Sequence, residues 1–337
     1  MKKLALALSL GLLGGLPAMA QDKPVDLKIS IWLPPAHALV PATKEWADSI
    51  TKASNGTIKT AIFPSEQLGK AFDHYDMARD GIADLTYVNP GYQPGRFPII
   101  AVGQIPFTFA DANKGTAALD AWYRKYAATE MKDTHFCFAF IHDPATYHGR
   151  KKVVVPEDIK GMKIRPAQST IGQMVTMMGG TNVQASAPEA REVLERGVAD
   201  GIFFPWGSMF LFGLDKVTKY HIDAPLYSTV FTYSMNKAKY DAMSPAQKKV
   251  IDDHCTAEWA VKLSAPWQEF EAAGRAKMKA LPDHEVYALT PDQLKAWQAA
   301  VAPLQKAWAE AVKKAGGDPD AIYKDFQAAV AKYGAGF

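Results

Sequence analysis

Two hydrophobic periods take turns along this chain, and that alternation restricts its fold more than any other feature. Residues 26–32 set Leu27, Ile29 and Ile31 against polar neighbours, a period of two that predicts a strand ended by Pro34 and Pro35. Residues 43–53 carry Trp46, Ala47 and Ile50 at helical spacing, with a stop at Asn55-Gly56. Residues 58–63 return to strand, 70–80 to a helix closed by Gly81, and 85–88 to a short apolar strand that enters the turn-rich stretch 89–97. Strands that alternate with single helices predict an α/β sheet flanked by helices. A second such unit starts near residue 143. Residues 151–155, 162–165, 181–184 and 201–204 read as strands, and 156–158, 169–178 and 187–196 as helices. The apolar run 231–235 is placed to return the chain to the first unit. Residues 244–279 read as one helix of about 50 Å, kinked at most by Pro266 and long enough to cross both units. The tail from Thr290 to Tyr333 is rich in Ala and Lys and reads as helix.

Two units suit the length, since 337 residues exceed what one core of ordinary size organises. With 48 % hydrophobic residues and a net charge of +3, the chain is neither a disordered polymer nor a nucleic-acid binder. Its first twenty residues have the order of an export signal: Lys2 and Lys3, an apolar run from Leu4 to Leu16, then Ala18-Met19-Ala20. That run is too short to span a bilayer, and no later stretch reaches membrane length, so the expected product is periplasmic and not itself membrane-spanning. Cleavage before Gln21 would remove two lysines and leave 36 basic residues against 35 acidic ones. Cys137 and Cys255 could pair in an oxidising compartment. Each lies in an apolar or helical pattern, however, and buried free thiols are the expectation.

The sequence has no phosphate-binding loop of the Walker type, no G-x-S-x-G elbow and no H-E-x-x-H, and its eight histidines lack metal-ligand spacing. No cofactor or metal is therefore expected, and no enzyme. Arg165 stands out in Gly161-Met162-Lys163-Ile164-Arg165-Pro166, at the C-terminal end of a strand and before a new helix. In open α/β sheets that end borders the ligand crevice. A guanidinium there offers a planar fork of donors matched to a carboxylate. A surface ion pair is the plain alternative for the same residue.

Four segments make the chain resemble the solute-binding proteins of TRAP transporters, the dicarboxylate-type extracytoplasmic receptors. They are Phe63-Pro64-Ser65-Glu66-Gln67-Leu68-Gly69, Gly81-Ile82-Ala83-Asp84-Leu85, the run from Pro156-Glu157-Asp158 through Lys163-Ile164-Arg165, and Arg196-Gly197-Val198-Ala199-Asp200-Gly201. The resemblance implies a two-lobed periplasmic-binding-protein-like fold of mixed sheets flanked by helices, with a long helix spanning both lobes. Lobe I would hold residues 21–142 and 231–270, lobe II residues 143–230 and 271–337. It also implies an organic acid bound between lobes that close, delivery to a small and a large TRAP membrane subunit, and Arg165 as the carboxylate clamp. A monomer is expected.

Two positions depart from the family. Where sialic-acid-type members carry a second arginine this chain has Ala145, with Tyr147 and His148 nearby. Where many members place an asparagine it has Phe204, followed by Pro205-Trp206. An apolar ring in place of a polar contact points to a monocarboxylate with an apolar or aromatic body, stacked on Phe204 or Trp206. Core packing is the equal alternative for Phe204. Asn89, Tyr87 and Tyr92 could supply contacts from lobe I, and Trp32 and His37 sit in its first strand-to-helix loop. Two other classes stay open beside transport: an exported enzyme on a two-lobed scaffold, and a ligand sensor for a different membrane partner.

Overall fold

A computed structural model describes residues 22–337; the segment read as an export signal lies outside the described residues. Strand β1 (Val25–Ser30) is followed by helix α1 (Leu39–Ala53), β2 (Ile58–Phe63), α2 (His74–Arg79) and β3 (Leu85–Val88). Helix α1 forms because Leu39, Thr43, Trp46, Ala47 and Ile50 recur at helical spacing and bury one stripe against the sheet. A single 3₁₀ turn, Pro90–Tyr92, follows β3. Helix α3 (Ala112–Glu130) then leads to β4 (Thr134–Ile141).

The chain crosses to a second sheet at β5 (Thr146–Gly149). Next come β6 (Lys163–Arg165), α4 (Ser169–Met177), β7 (Thr181–Asn182), α5 (Ala190–Glu195), β8 (Gly201–Phe204), α6 (Trp206–Leu211) and β9 (Tyr220–Ile222). Strand β10 (Val230–Asn236) returns to the first sheet, as its apolar run predicted. There it lies antiparallel between β3 and β4. After α7 (Lys237–Asp241), α8 (Pro245–His254) and α9 (Ala257–Lys279), β11 (Glu285–Tyr287) closes the edge of the second sheet. Helices α10 (Pro291–Val301), α11 (Pro303–Lys314) and α12 (Pro319–Tyr333) complete the chain.

The strand orders are β2-β1-β3-β10-β4 and β11-β9-β5-β8-β6-β7, both mixed. Where the two crossing segments pass between the sheets they bond to each other: the Ala145 amide donates to Tyr227 (2.7 Å) and the Leu226 amide to Ala145 (2.9 Å). Helix α9 is the third link, packing on α1 and α3 beside the first sheet and on α6 and β11 beside the second.

Several expectations need correction. The expected 50 Å helix is two helices, broken where Cys255 ends α8 and the Thr256 hydroxyl caps α9 by accepting from the Trp259 amide. Cys255 is also not a free thiol. It is disulfide-bonded to Cys137 on β4, because the α8–α9 break rests beside that strand, a proximity that separation in sequence does not reveal. Residues 151–155 form no strand: the Val154 and Val155 amides donate to the Asp158 carboxylate instead of to a neighbouring strand. The tail, assigned whole to lobe II, divides between the cores. Trp297 and Val301 of α10 sit in the core of the second sheet, whereas Trp308, Val312, Ile322 and Phe326 pack onto the α3 side of the first.

Candidate functional site

The crevice between the sheets encloses a nearly filled cavity of about 30 Å³. The β1–α1 loop supplies Trp32, Leu33 and His37, and the turn after β3 supplies Asn89 and Tyr92. His142, Thr229 and Phe231 come from the crossing region, Trp267 from α9. The opposite wall is made by Arg165, Ala167, Ala187, Phe204, Pro205, Ser208 and Phe212. Carbon predominates: Phe231 and Trp267 lie 5.3 Å apart, and Phe204 meets Phe212 edge-on at 5.6 Å.

Arg165 ends β6 and is 1 % exposed. Its Nε donates to the Ala185 carbonyl (2.9 Å), Nη1 reaches the Phe203 carbonyl at 3.5 Å, and Nη2 donates to the Tyr92 hydroxyl (3.2 Å). The guanidinium carbon stands 5.4 Å from the Phe204 ring centre, so the cation has a π-face in place of a counter-ion. A guanidinium carries five N–H groups, and these contacts leave donors over for an anion.

His37 adds a second donor. Its Nδ1 accepts from the Leu39 amide (3.1 Å), which in the neutral ring puts the proton on Nε2. That Nε2–H is buried and, among the described residues, has no partner, and the same holds for the indole N–H of Trp32. Burial lowers the His37 pKa from 6.5 to about 3, so the ring is an uncharged donor at neutral pH. Among the described residues, the Thr229 hydroxyl on this lining is also buried without a partner.

Several other polar groups of the wall are occupied. The Thr229 amide donates to His142 Nε2 (3.1 Å), and His142 Nδ1 donates to the Asp143 carbonyl (2.6 Å). The Trp267 indole donates to Glu271 (2.6 Å), which also accepts from the Gly207 and Ser208 amides and the Ser208 hydroxyl. Burial pushes the Glu271 carboxyl up to about 7, and these donors oppose the rise.

Of the residues singled out in the sequence, the structure brings Arg165, Phe204, Asn89, Tyr92, Trp32 and His37 to one cavity. Three others lie outside its lining. Trp206 turns away from it, edge-on to His148 at 4.8 Å. Tyr147 lies under Gly149 and Gly201, where a Cβ would meet its ring atoms, and gives its hydroxyl to the Lys151 carbonyl (3.2 Å). Tyr87 stands behind Trp32 and stacks on Phe231 at 5.0 Å. Each is large and apolar enough to belong to a core, which sequence pattern does not distinguish from a cavity wall. Sequence reasoning missed Phe231, Trp267, His142 and Thr229. Phe231 carried a strand signal, but nothing marked the face it shows. Among the described residues no cluster of His, Cys, Asp and Glu is arranged to hold a metal ion.

Comparison with known proteins agrees with this architecture. Residues 29–311 match the family model described as bacterial extracellular solute-binding protein, family 7. A TRAP solute-binding protein from Rhodoferax ferrireducens, solved in complex with copurified benzoate, superposes with a TM-score of 0.86 at 29 % identity over 92 % of this chain and 98 % of that one. A marine-metagenome TRAP protein specific for aromatic acid ligands, co-crystallised with 3-hydroxybenzoate, gives 0.86 at 32 % identity over 92 % and 99 %. One from Bordetella bronchiseptica with bound (R)- and (S)-mandelate gives 0.85 at 28 % identity over 92 % and 99 %.

Two lobes with a crevice between them define a binding protein. The chain belongs to family 7 of the bacterial extracellular solute-binding proteins, as a TRAP transporter solute-binding protein, a family of receptors rather than enzymes. No helix among the described residues is long and apolar enough to cross a membrane.

Proposed function

We propose that this receptor captures an aromatic or similarly apolar monocarboxylate in the periplasm and delivers it, as a monomer, to the small and large membrane subunits of a TRAP transporter. The observation that carries the reading is the donor census of the cavity. The N–H groups of Arg165 left over from its three protein contacts on one side, and the unpartnered N–H groups of His37 and Trp32 on the other, are donors inside a wall of Phe204, Phe212, Phe231 and Trp267. A carboxylate between the two walls would meet donors from both, and its dry surroundings strengthen each charge-assisted bond. Beyond Asn89 and the Thr229 hydroxyl the lining offers mostly carbon, so a second carboxylate or a row of hydroxyls would leave groups unpaired, at about 1–3 kcal/mol each.

The lobe division at the crossing segments around residues 142–145 and 226–230 belongs to the same reading. About 30 Å³ of open space admits an organic acid only if the lobes part or side chains give way, so capture proceeds by opening and closing. The acid-bound relatives support the class: benzoate, 3-hydroxybenzoate and mandelate each join one carboxylate to an aromatic body. The test is a thermal-shift screen of those three acids beside succinate and glucuronate, with mass spectrometry of acid released from gently purified protein. Stabilisation by the aromatic acids is expected; stabilisation by succinate or glucuronate alone overturns the reading.

A further inference from the structure

We propose that Tyr92 is the latch of lobe closure and the positioning residue of Arg165. The inference rests on the capture reading above and names the residue that makes closure and the clamp one event. Tyr92 belongs to the first lobe. It ends the 3₁₀ turn after β3, its amide donates to the Asn89 carbonyl (3.0 Å), and its ring is held by Phe72 at 4.7 Å and Trp32 at 5.9 Å. Its hydroxyl is nevertheless spent on the second lobe: it accepts from Arg165 Nη2 (3.2 Å) and from the Ala187 amide (2.9 Å). Both lone pairs are thus engaged by second-lobe donors. Tyr92 also lines the cavity.

The neighbouring residue shows independently how closely the lobes meet here. A Cβ on Gly91 would stand 2.5 Å from the Cβ of Gln168, in the second lobe, and 2.6 Å from Oε1 of Gln104. Only a residue without a side chain lets the turn approach so near. Tyr92 and Ala167 are also shared between the inner cavity and an outer groove of about 330 Å³ that runs between the lobes. The tyrosine therefore stands in the wall that separates a captured ligand from the groove outside.

The consequence is a division of labour. With the lobes apart, Arg165 Nη2 and the Ala187 amide lose their shared acceptor; with the lobes together, the guanidinium is held from three directions and presents its remaining donors in a fixed orientation. Because both bonds are made between protein groups, they favour the closed state by the same amount whatever acid is bound. Removing them costs every ligand equally, whereas losing a contact to the ligand itself discriminates between ligands.

The test uses the full mature chain with Tyr92→Phe, which keeps the ring, and Gly91→Ala, which obstructs the approach without touching the hydroxyl. Calorimetric titration with benzoate and with mandelate reads affinity, and hydrogen exchange over residues 185–189 in the unliganded protein reads the Ala187 bond. Both variants are expected to bind both acids roughly tenfold or more weakly, by the same factor for each acid, with faster exchange at Ala187. Wild-type affinity and exchange in Tyr92→Phe overturn the latch, and a loss confined to one acid reassigns Tyr92 to ligand contact and overturns it equally. Should the wild type bind neither acid, the aromatic-acid reading fails by itself, and the exchange comparison still decides whether Tyr92 holds the lobes.

Discussion

Replacing Arg165 separates binding from stability in a way that few cavity residues allow. The side chain is 1 % exposed and among the described residues has no carboxylate partner: carbonyls of Ala185 and Phe203, the Tyr92 hydroxyl and the Phe204 ring stand in for one. An unliganded, buried and incompletely paired cation is costly to fold around, and exchange for an apolar residue of similar length is often neutral or stabilising. Arg165→Met relieves that cost but leaves the Ala185 carbonyl without its donor, a penalty of about 1–3 kcal/mol. The two nearly offset, so the melting temperature of the free protein should stay within roughly 2 °C of wild type. The bound state has no such compensation. Truncating one partner of a buried charged pair costs roughly 2–5 kcal/mol, or about 30- to 4,000-fold in Kd. Arg165→Lys should fall in the same range although it keeps the charge, because a lysine supplies no planar fork and no Nε anchor on Ala185. Differential scanning fluorimetry and calorimetry with benzoate measure both quantities. Wild-type affinity in either variant, or a free protein melting many degrees lower in Arg165→Met, would refute the reasoning.

Four further outcomes are expected. Cys137→Ser with Cys255→Ser opens a loop closed across a sequence separation of 118 residues; chain entropy alone sets the destabilisation near 5 kcal/mol, read as a lower denaturant midpoint, and an unchanged midpoint would contradict it. His37 is neutral from about pH 5 to about pH 8 and should add no pH dependence to benzoate affinity, leaving only what Glu271 under Trp267 contributes near pH 7; a decline above pH 6 that persists in Glu271→Gln would mean that His37 binds as an imidazolium. Stability behaves differently. His37, His142, His148 and His221 have folded pKa values of about 3, 4, 3 and 2, below the ordinary 6.5, so stability is complete above 6.5 and is lost as the pH falls toward those values. Glu130 and Glu271, raised to about 7, contribute the opposite way on acidification, but their shifts match only that of His142 and fall short of the other three histidines, so unfolding monitored by circular dichroism should show a net loss below about pH 5. Phe204→Leu keeps an apolar wall and loses the ring, worth about 0.5–1.5 kcal/mol to an aromatic partner, so benzoate should weaken about threefold to tenfold and an aliphatic acid of similar size hardly at all; equal losses would show that the ring does not meet the ligand.

The parts of this account legible in the sequence are those that local chemistry decides. Strands β2, β3 and β8 and helix α1 carry their period and their stop signals within a few residues, and the strand-end position of Arg165 follows from the same pattern. What escaped depends on distant partners. The break at Cys255 is set by a strand more than a hundred residues earlier, and residues 151–155 look like a strand until Asp158 takes their amides. Tyr147 and Phe204 are alike on paper, both aromatic and both on strands of the second sheet; only the packing of two glycines over one, and of Arg165 over the other, separates core from cavity. The donor role of His37 rests on the Leu39 amide occupying its other nitrogen, which composition and spacing do not encode.

A crystal structure of the protein with benzoate tests the central claim most directly. The carboxylate is expected within hydrogen-bonding distance of the Arg165 guanidinium, His37 Nε2 and Trp32 Nε1, with the ring among Phe204, Phe231 and Trp267. Benzoate held elsewhere, or turned with its carboxylate away from Arg165, would contradict it.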